Sequence, residues 1–415
     1  MSDLRDALND ALNLLTTGAR DLPLRQRTLK ASIQWSYDLL PPDEQLLFRF
    51  LGTFAGGALG PDVIATASIS TSAAAVVDGL ESLVEKNLVM AEPTLSRNGR
   101  TGVMRYRLLE TLRAFAHAEA DRLGEVDGFR ARQAQHYLAL ALNADQHFMG
   151  LHGPEWGSQQ VEWVRRVLAE LANLRAALEW YRAQALTQIG QVPNQAAHAG
   201  LQLARAMRRA WFVGGYFSEA LGWLRAFVAL TAPDIDQAPD DLRLNYAEAM
   251  AVIGRLAPYH GEGRTTHALI EEGLRIAEDL HETRLVALLH LIRGLVALAD
   301  GAYADAKAWF TRGLELYRAL EDAWGCAAVL EELGRLALDQ GDVQQATLLL
   351  EESQALFRAV GDPFGSSSVM EHLGRVAYAR GAYVEARRIW QDVLTARRAI
   401  GYNSGLGRVL AALGW

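Results

Sequence analysis

Between Gly254 and Trp415 the apolar residues fall on a helical spacing, and the whole pattern recurs every 40 residues. In one copy an apolar run from Val329 to Leu338 reaches a turn at Gly341-Asp342, and a second run, Ala346 to Val360, reaches another at Gly361-Asp362. Each copy therefore predicts two helices. Gly254, Gly294, Gly334, Gly374 and Gly414 hold one place in successive copies; Gly261, Gly301, Gly341 and Gly381 hold another. A glycine inside a helix, such as Gly334, costs about 1 kcal/mol relative to alanine, a loss that is offset where it lets a neighbouring helix approach closely. Small Ala306, Ala346 and Ala386 and large Phe310, Leu350 and Trp390 keep the same period, so knobs are expected to meet gaps. No copy can bury its apolar face alone, and the copies are expected to stack.

Upstream the pattern changes. A helical run from Arg25 to Leu40 halts at Pro41-Pro42; Asp43-Glu44 open another to Leu51, which Gly56-Gly57 closes. Gly60-Pro61 opens a short third run, and Ala73 to Lys86 makes a fourth. Two strand-like runs follow, Leu88 to Ala91 and Met104 to Leu108, joined by the polar segment Ser96 to Gly102, and a further helix starts at Glu110. Helices, a hairpin and a closing helix make a winged-helix pattern. Between the two regions, Gln184 to Ala196 and Thr231 to Asp240 are polar, contain proline and read as flexible seams. Trp156, Trp163, Trp180 and Tyr181, with Trp211, Phe212, Tyr216 and Phe217, read as core between stacked helices.

The repeat wording, Leu333-Gly334, Gly341-Asp342, Ala346 and Leu350, resembles the tetratricopeptide repeat, whose usual period is about 34 residues. The longer period implies longer helices or loops. The likeness is strong over 250–415 and degenerate over roughly 130–230, where Gly214 to Ala220 looks like one more turn and second helix and Glu170 to Tyr181 like a leading helix. The first region, in Ser36-Tyr37-Asp38-Leu39-Leu40-Pro41, Gln45-Leu46-Leu47-Phe48, Leu83 to Leu88 and Tyr106 to Glu110, resembles the winged helix of STAND ATPases of the NB-ARC type, among them large bacterial transcriptional regulators. The expected fold is mainly α: a winged helix followed by a TPR-like α-solenoid. Its divisions are a remnant of a preceding helical module (1–21), the winged helix (22–125), degenerate repeats and linker (126–240) and the solenoid (241–415), truncated in its last repeat. The chain thus reads as a piece of a longer protein, or one completed by another copy.

Composition narrows the function. Of 415 residues half are hydrophobic and 22% charged, with a net charge of −8, which argues against a general nucleic-acid binder. The lone Cys326 reads as a small core residue and suits a reducing compartment. With no secretory signal and no run of about 18 apolar residues, a cytoplasmic protein without membrane contact is expected. A P-loop ends in Gly-Lys-Ser/Thr, yet none of the three lysines, Lys30, Lys86 and Lys307, follows a glycine. The resemblance also implies a Met-His-Asp nucleotide sensor, where this chain has Leu108-Leu109-Glu110. No cofactor is therefore expected on this chain; ATP or ADP belongs to the absent P-loop module. No His-x-x-x-His pair, apart from the looser His147 and His152, and no Gly-x-Ser-x-Gly elbow appears, so neither a metal site nor a catalytic residue is expected.

Binding is the remaining chemistry. In this resemblance the first helix of each repeat lines a groove, and its inward positions are Arg255, Tyr259, Leu291, Leu295, Glu331, Arg335, Glu371, Arg375, Tyr378 and Trp415. Arginine forks and aromatic rings suit a peptide, a protein segment or an anionic small-molecule inducer. Glu331 with Arg335 and Glu371 with Arg375 also read as i,i+4 surface pairs. The expected partners are such an inducer at the solenoid and an NTPase module in cis or in trans; oligomerisation stays open. DNA is disfavoured, because the helix from Ala73 to Lys86 presents Asp78, Glu81 and Glu85. The alternative is a DNA-binding factor that uses Arg97, Arg100, Arg105 and Arg107 of the hairpin.

Overall fold

The structure, a computed structural model, describes residues 29–67, 72–95, 101–149, 156–190, 193–260 and 266–414. It divides into two compact units: Met1–Tyr137 with Glu170–Trp180, and Leu138–Ala169 with Tyr181–Trp415. The remnant expected at 1–21 lies outside the described residues.

In the first unit α1 (Leu29–Asp38) and α2 (Pro42–Leu51) are separated by Pro41, whose ring ends one helix while Pro42 sits in the first turn of the next. A two-residue β1 (Ala58–Leu59), α3 (Gly60–Ala67), α4 (Ala73–Glu85), β2 (Met90–Leu95), β3 (Thr101–Arg107) and α5 (Glu110–Arg122) complete a winged helix. The sheet is antiparallel in the order β1-β3-β2. Tyr37, Phe48 and Phe115 pack their rings together, as do Phe50, Phe54 and Phe129. Arg49 donates to both carboxylate oxygens of Glu125 at 2.6 and 2.8 Å, just ahead of α6 (Val126–Met149). Two expectations are corrected. Gly56-Gly57 does not close α2, which Gly52 caps, but leads into β1, a strand too short to show alternation. The second strand begins at Met90 because Asn87 is left-handed (φ 57°) and the amides of Leu88 and Val89 turn back onto Leu83.

The second unit contains α7 (Trp156–Ala169), the end of α8 (Leu171–Thr187), α9 (Gln195–Ala206), α10 (Arg208–Gly214) and α11 (Phe217–Thr231). Trp211 and Tyr181 are core residues, as expected, while Tyr216 is exposed and Phe212 and Phe217 half-buried. The segment from Thr231 to Asp240 holds a 3-10 turn with Ile235 buried. The repeats follow as helix pairs: α12 (Asp240–Leu256) with α13 (His267–Asp279), α14 (Thr283–Ala299) with α15 (Tyr303–Ala319), α16 (Ala323–Asp339) with α17 (Val343–Val360), α18 (Pro363–Ala379) with α19 (Tyr383–Ile400), then α20 (Leu406–Leu413).

Within a pair, the knob of the second helix sits on the glycine of the first. A Cβ at Gly294 would fall on the Phe310 ring, at Gly334 on Leu350 and at Gly374 on Trp390. Gly414 departs from the series and caps α20 with φ 80°. A second, unanticipated column joins one pair to the next: Tyr317, Phe357 and Arg397 lie against Gly325, Gly365 and Gly405. The turns inside pairs are exposed and left-handed at Gly301, Gly341 and Gly381; the turns between pairs are left-handed at His281, Glu321, Gly361 and Gly401. Amides of Glu282, Asp322, Asp362 and Tyr402 reach back five residues to close the preceding helix.

Between pairs, aspartate ties two repeats. Asp322 accepts from the Gly325 amide at 2.9 Å and pairs with Arg284 of the preceding repeat at 2.8 Å. Asp362 accepts from the Phe364 and Gly365 amides at 2.9 and 3.1 Å and from the Trp324 indole at 2.9 Å. One repeat further, Phe364 meets the Tyr402 ring edge-on at 5.6 Å.

Left-handed backbone costs a side chain about 1–2 kcal/mol. Glu321→Gly is therefore expected to raise the urea unfolding midpoint by the equivalent of up to about 1 kcal/mol after the entropy of glycine is set against it. Gly374→Ala should lower it by about 1–2 kcal/mol, because crowding against the rigid Trp390 ring outweighs the gain in helix propensity. Equal midpoints for the two variants would contradict the glycine roles.

Candidate functional site

The first helices of successive pairs pack on one another, and the second helices do so more sparsely, so the first helices line the inner side of the stack. In α14 that side is apolar, with Leu291 and Ile292 buried and Leu295 half-buried. Forty residues on, the same positions are Glu331, Glu332 and Arg335 in α16; after another 40 they are Glu371, His372 and Arg375 in α18.

The i,i+4 pairs expected on these helices are not formed. Glu331 is buried and accepts from the Ser368 hydroxyl at 2.5 Å, with the His372 ring 3.7 Å away. Arg335 instead grips Glu332 at 2.6 Å. Glu371, also buried, pairs with Arg397 at 2.7 Å and Arg408 at 3.0 Å, and Arg375 reaches back to Asp339 at 2.7 Å. The reason is register. Each glutamate points toward the next repeat, and a partner there forms a better-desolvated contact than one on the same helix. Arg255 holds its charge near Glu331 and lies 5.7 Å from the Phe212 ring centre. Tyr378 is 56% exposed and packs on Tyr383 with ring centres 5.0 Å apart. The Tyr259 side chain and Trp415 lie outside the described residues.

Sequence reasoning missed Ser368, His372, Arg397 and Arg408. Arg397 carried a readable signal, since it breaks the column begun by Tyr317 and Phe357. Its guanidinium is fully buried and donates to the Gly405 carbonyl at 2.5 Å besides meeting Glu371.

Burial, and next the neighbouring Glu332, push the Glu331 carboxyl up to about 7; Ser368, Arg255 and Arg335 oppose the rise. Burial and then Arg335, Arg375, Arg408 and Arg397 hold the His372 imidazole well below its ordinary value. The face thus combines a carboxyl poised near neutrality, a neutral imidazole and several arginines. Cys326 is buried, and burial raises its thiol. Among the described residues no cluster of His, Cys, Asp and Glu could hold a metal ion, and no helix is long and apolar enough to cross a membrane.

In the first unit, Arg97 and Arg100 lie outside the described residues. Arg105 donates to the carbonyls of Gly56 and Gly57 at 3.0 and 3.2 Å and pairs with the fully buried Glu170. Glu170 also accepts from Tyr137 at 3.0 Å and Asn173 at 2.8 Å, and Asn173 in turn accepts from the Ala55 amide at 2.9 Å. Arg107 pairs with Glu92 at 2.6 Å on an open surface. On α4, Asp78, Glu81 and Glu85 are exposed, and Lys86 is engaged with Glu44 at 2.5 Å.

No family model matches the chain. It is 31% identical over 347 residues to a protein described as an HTH-type transcriptional regulator in Mycobacterium tuberculosis, an alignment that covers 79% of this chain and 34% of the relative. It is 26% identical over 338 residues to the regulatory protein AfsR of Streptomyces coelicolor, covering 77% of the chain and 31% of the relative. The chain spans about a third of the length of the curated relatives it matches. Among solved structures, it is similar to a Signal Transduction ATPase with Numerous Domains (STAND) protein with a tetratricopeptide repeat sensor from Pyrococcus horikoshii, with a TM-score of 0.45 and 13% identity over 95% of this chain and 56% of that one.

A carboxyl raised in the folded state stabilises it below the unfolded value, near 4.3, and that contribution is lost as pH rises through about 7. Glu331→Gln should therefore raise the urea midpoint above wild type most at pH 8, the difference shrinking as pH falls and closing only near pH 4. His372 acts in the opposite sense. A depressed imidazole stabilises the fold above its unfolded value, near 6.5, and that stability falls away on acidification, so both proteins should weaken below about pH 6. A Gln variant that tracks wild type at every pH would contradict the assignment. In the first unit, Arg105→Ala should cost about 3–5 kcal/mol by leaving Glu170 buried without its cation, read by denaturant unfolding; a loss under about 1 kcal/mol would contradict a structural role.

Proposed function

We propose that the chain is the sensor and scaffold region of a STAND-type signalling or transcriptional regulator. Its repeats hold a protein, peptide or small-molecule inducer on their inner side. Its winged helix packs against an ATPase module supplied in cis or in trans, and ATP or ADP belongs to that module. The observation that carries this reading is the replacement of Leu291, Ile292 and Leu295 by charged residues and histidine in the next two repeats. A stack needs only apolar contact at these positions, as α14 demonstrates, and desolvating charges there is costly. Arg375 and Tyr378 keep much of their surface open, as a capture site requires. The similarity to longer proteins described as regulators supports the same reading. Occupancy would act by favouring one of two arrangements, in proportion to the ligand's differential affinity for them.

A second reading, direct DNA binding through residues 22–124, is favoured by the HTH description of the relatives. The acidic exposed face of α4 and the internal pairing of Arg105 and Arg107 weigh against it.

A thermal-shift screen against short peptides, anionic metabolites and ATP is expected to find a peptide or metabolite that stabilises the wild-type chain. A ligand at 100 times its Kd adds about 2.7 kcal/mol. The shift should vanish in Arg375→Ala/Tyr378→Ala, and ATP should give none. Stabilisation by ATP alone, or hits indifferent to that double change, would contradict the proposal. A gel shift that is sequence-dependent and survives physiological salt would favour the DNA reading instead.

A further inference from the structure

The joint between the second and third repeats and the joint between the third and fourth share a buried capping aspartate and a ring on glycine, but differ in where the cation comes from. At the first, the buried carboxylate Asp322 receives an arginine, Arg284, from the repeat before it. At the second, the residue 40 positions after Arg284 is Trp324, which donates one N–H but carries no charge. The cation comes from elsewhere in the chain. Arg209 of α10 donates to both oxygens of Asp362 at 3.2 and 3.4 Å, across 153 residues, and lays its guanidinium 4.5 Å from the Phe364 ring centre.

The short helix that supplies it has two unlike sides. Trp211, Ala210 and Val213 are fully buried, and the Trp211 indole donates to the Ala204 carbonyl at 3.1 Å. Arg209 and Phe212, on the other side, are only half-buried. Phe212 lies 6.0 Å from the Tyr402 ring centre, with the Arg255 guanidinium over its face, and the Val213 carbonyl accepts from the amides of Asn403 and Ser404 at 3.1 and 3.3 Å. The contact consists of long hydrogen bonds, a cation over a ring and tilted rings. With Arg209 and Phe212 half-buried and its bonds at 3.1 to 3.4 Å, it resembles a separable interface more than a core.

We propose that this joint, made by Asp362, Trp324, Phe364 and Tyr402, is a binding site for a helical peptide that presents an arginine and, one turn later, an aromatic ring, and that α10 is its resident internal occupant. The buried Asp362 selects the cation; Phe364 and Tyr402 select a flat guanidinium and a ring beside it. A partner segment with that pair displaces α10 from the joint and so couples capture to a rearrangement inside the second unit. This inference rests on the reading that the repeats bind a ligand, and it names the ligand's chemistry.

The test uses the full chain and a fluorescein-labelled synthetic peptide of residues 204–217, followed by anisotropy. Arg209→Ala/Phe212→Ala should bind the peptide at least about tenfold tighter than wild type, since the competitor is gone. Adding Asp362→Asn, or replacing the peptide's counterpart of Arg209 with alanine, should remove that gain. Equal binding by wild type and the emptied chain, with helical circular dichroism unchanged, would overturn the proposal, as would indifference to Asp362→Asn. Should the emptied chain not fold, wild type at saturating peptide decides: exchange of the Ser404 amide, which donates to the Val213 carbonyl, should quicken as Val213 withdraws, and unchanged exchange overturns the proposal. A thermal-shift ligand that depends on Arg375 and Tyr378 while these outcomes fail would leave the broader reading standing and this one refuted.

Discussion

The repeats depend on the joint at which a buried aspartate closes one helix pair and starts the next. Asp322 and Asp362 each satisfy amides at the start of the following helix, which would otherwise be orphaned there. Each also takes a donor from the repeat before it, Arg284 or Trp324. Beside each, an aromatic ring lies flat on a glycine, Tyr317 on Gly325 and Phe357 on Gly365. The cap sets where a helix begins, the tether sets which repeat it begins against, and the ring on glycine sets how close they come. Apolar stacking alone would leave all three free to slide.

With the joint fixed, the side chains of successive first helices are brought into register, and the electrostatics of the inner side follow. Glu331 meets Ser368 and Glu371 meets Arg408, 37 residues ahead in both cases. The charges of α16 and α18 are thus spent partly on each other, across repeats, and partly left open at Arg375 and Tyr378. Arg397 marks where the device changes. It takes the place of an aromatic ring on Gly405, and its buried charge is met by Glu371 and the Gly405 carbonyl. A buried pair of this kind adds little net stability but strongly penalises any rearrangement that separates the charges.

Much of this was legible in the sequence. The 40-residue period, the Gly294, Gly334 and Gly374 seats and the Phe310, Leu350 and Trp390 knobs were readable because close helix approach demands a small residue opposite a large one at fixed spacing. The column of Tyr317, Phe357 and Arg397 escaped notice because its last member is charged and because Leu285 stands where an earlier Gly325 counterpart would be. Glu331 and Glu371 were assigned to Arg335 and Arg375 because a single helix offers the i,i+4 partner; which partner wins is decided by the register of the next repeat, and that belongs to the stack. In the first unit, β1 was too short to alternate and the left-handed Asn87 displaced the second strand. The meeting of Arg209 with Asp362 has no local signature at all.

The turns between pairs act as structural joints, while the turns within pairs are solvated corners. Amide hydrogen exchange in the unliganded chain tests it most directly. The Gly325, Phe364 and Gly365 amides, which donate to the joint aspartates, are expected to exchange at rates close to those of the helix interiors. The Gly341 and Gly381 turns are exposed, and so are their side-chain contacts, Asp342 on the Gln345 amide at 3.0 Å and Arg380 on Thr347 at 2.6 Å; the Gly341 and Gly381 amides should exchange far faster. Similar fast exchange at both kinds of turn would contradict the claim.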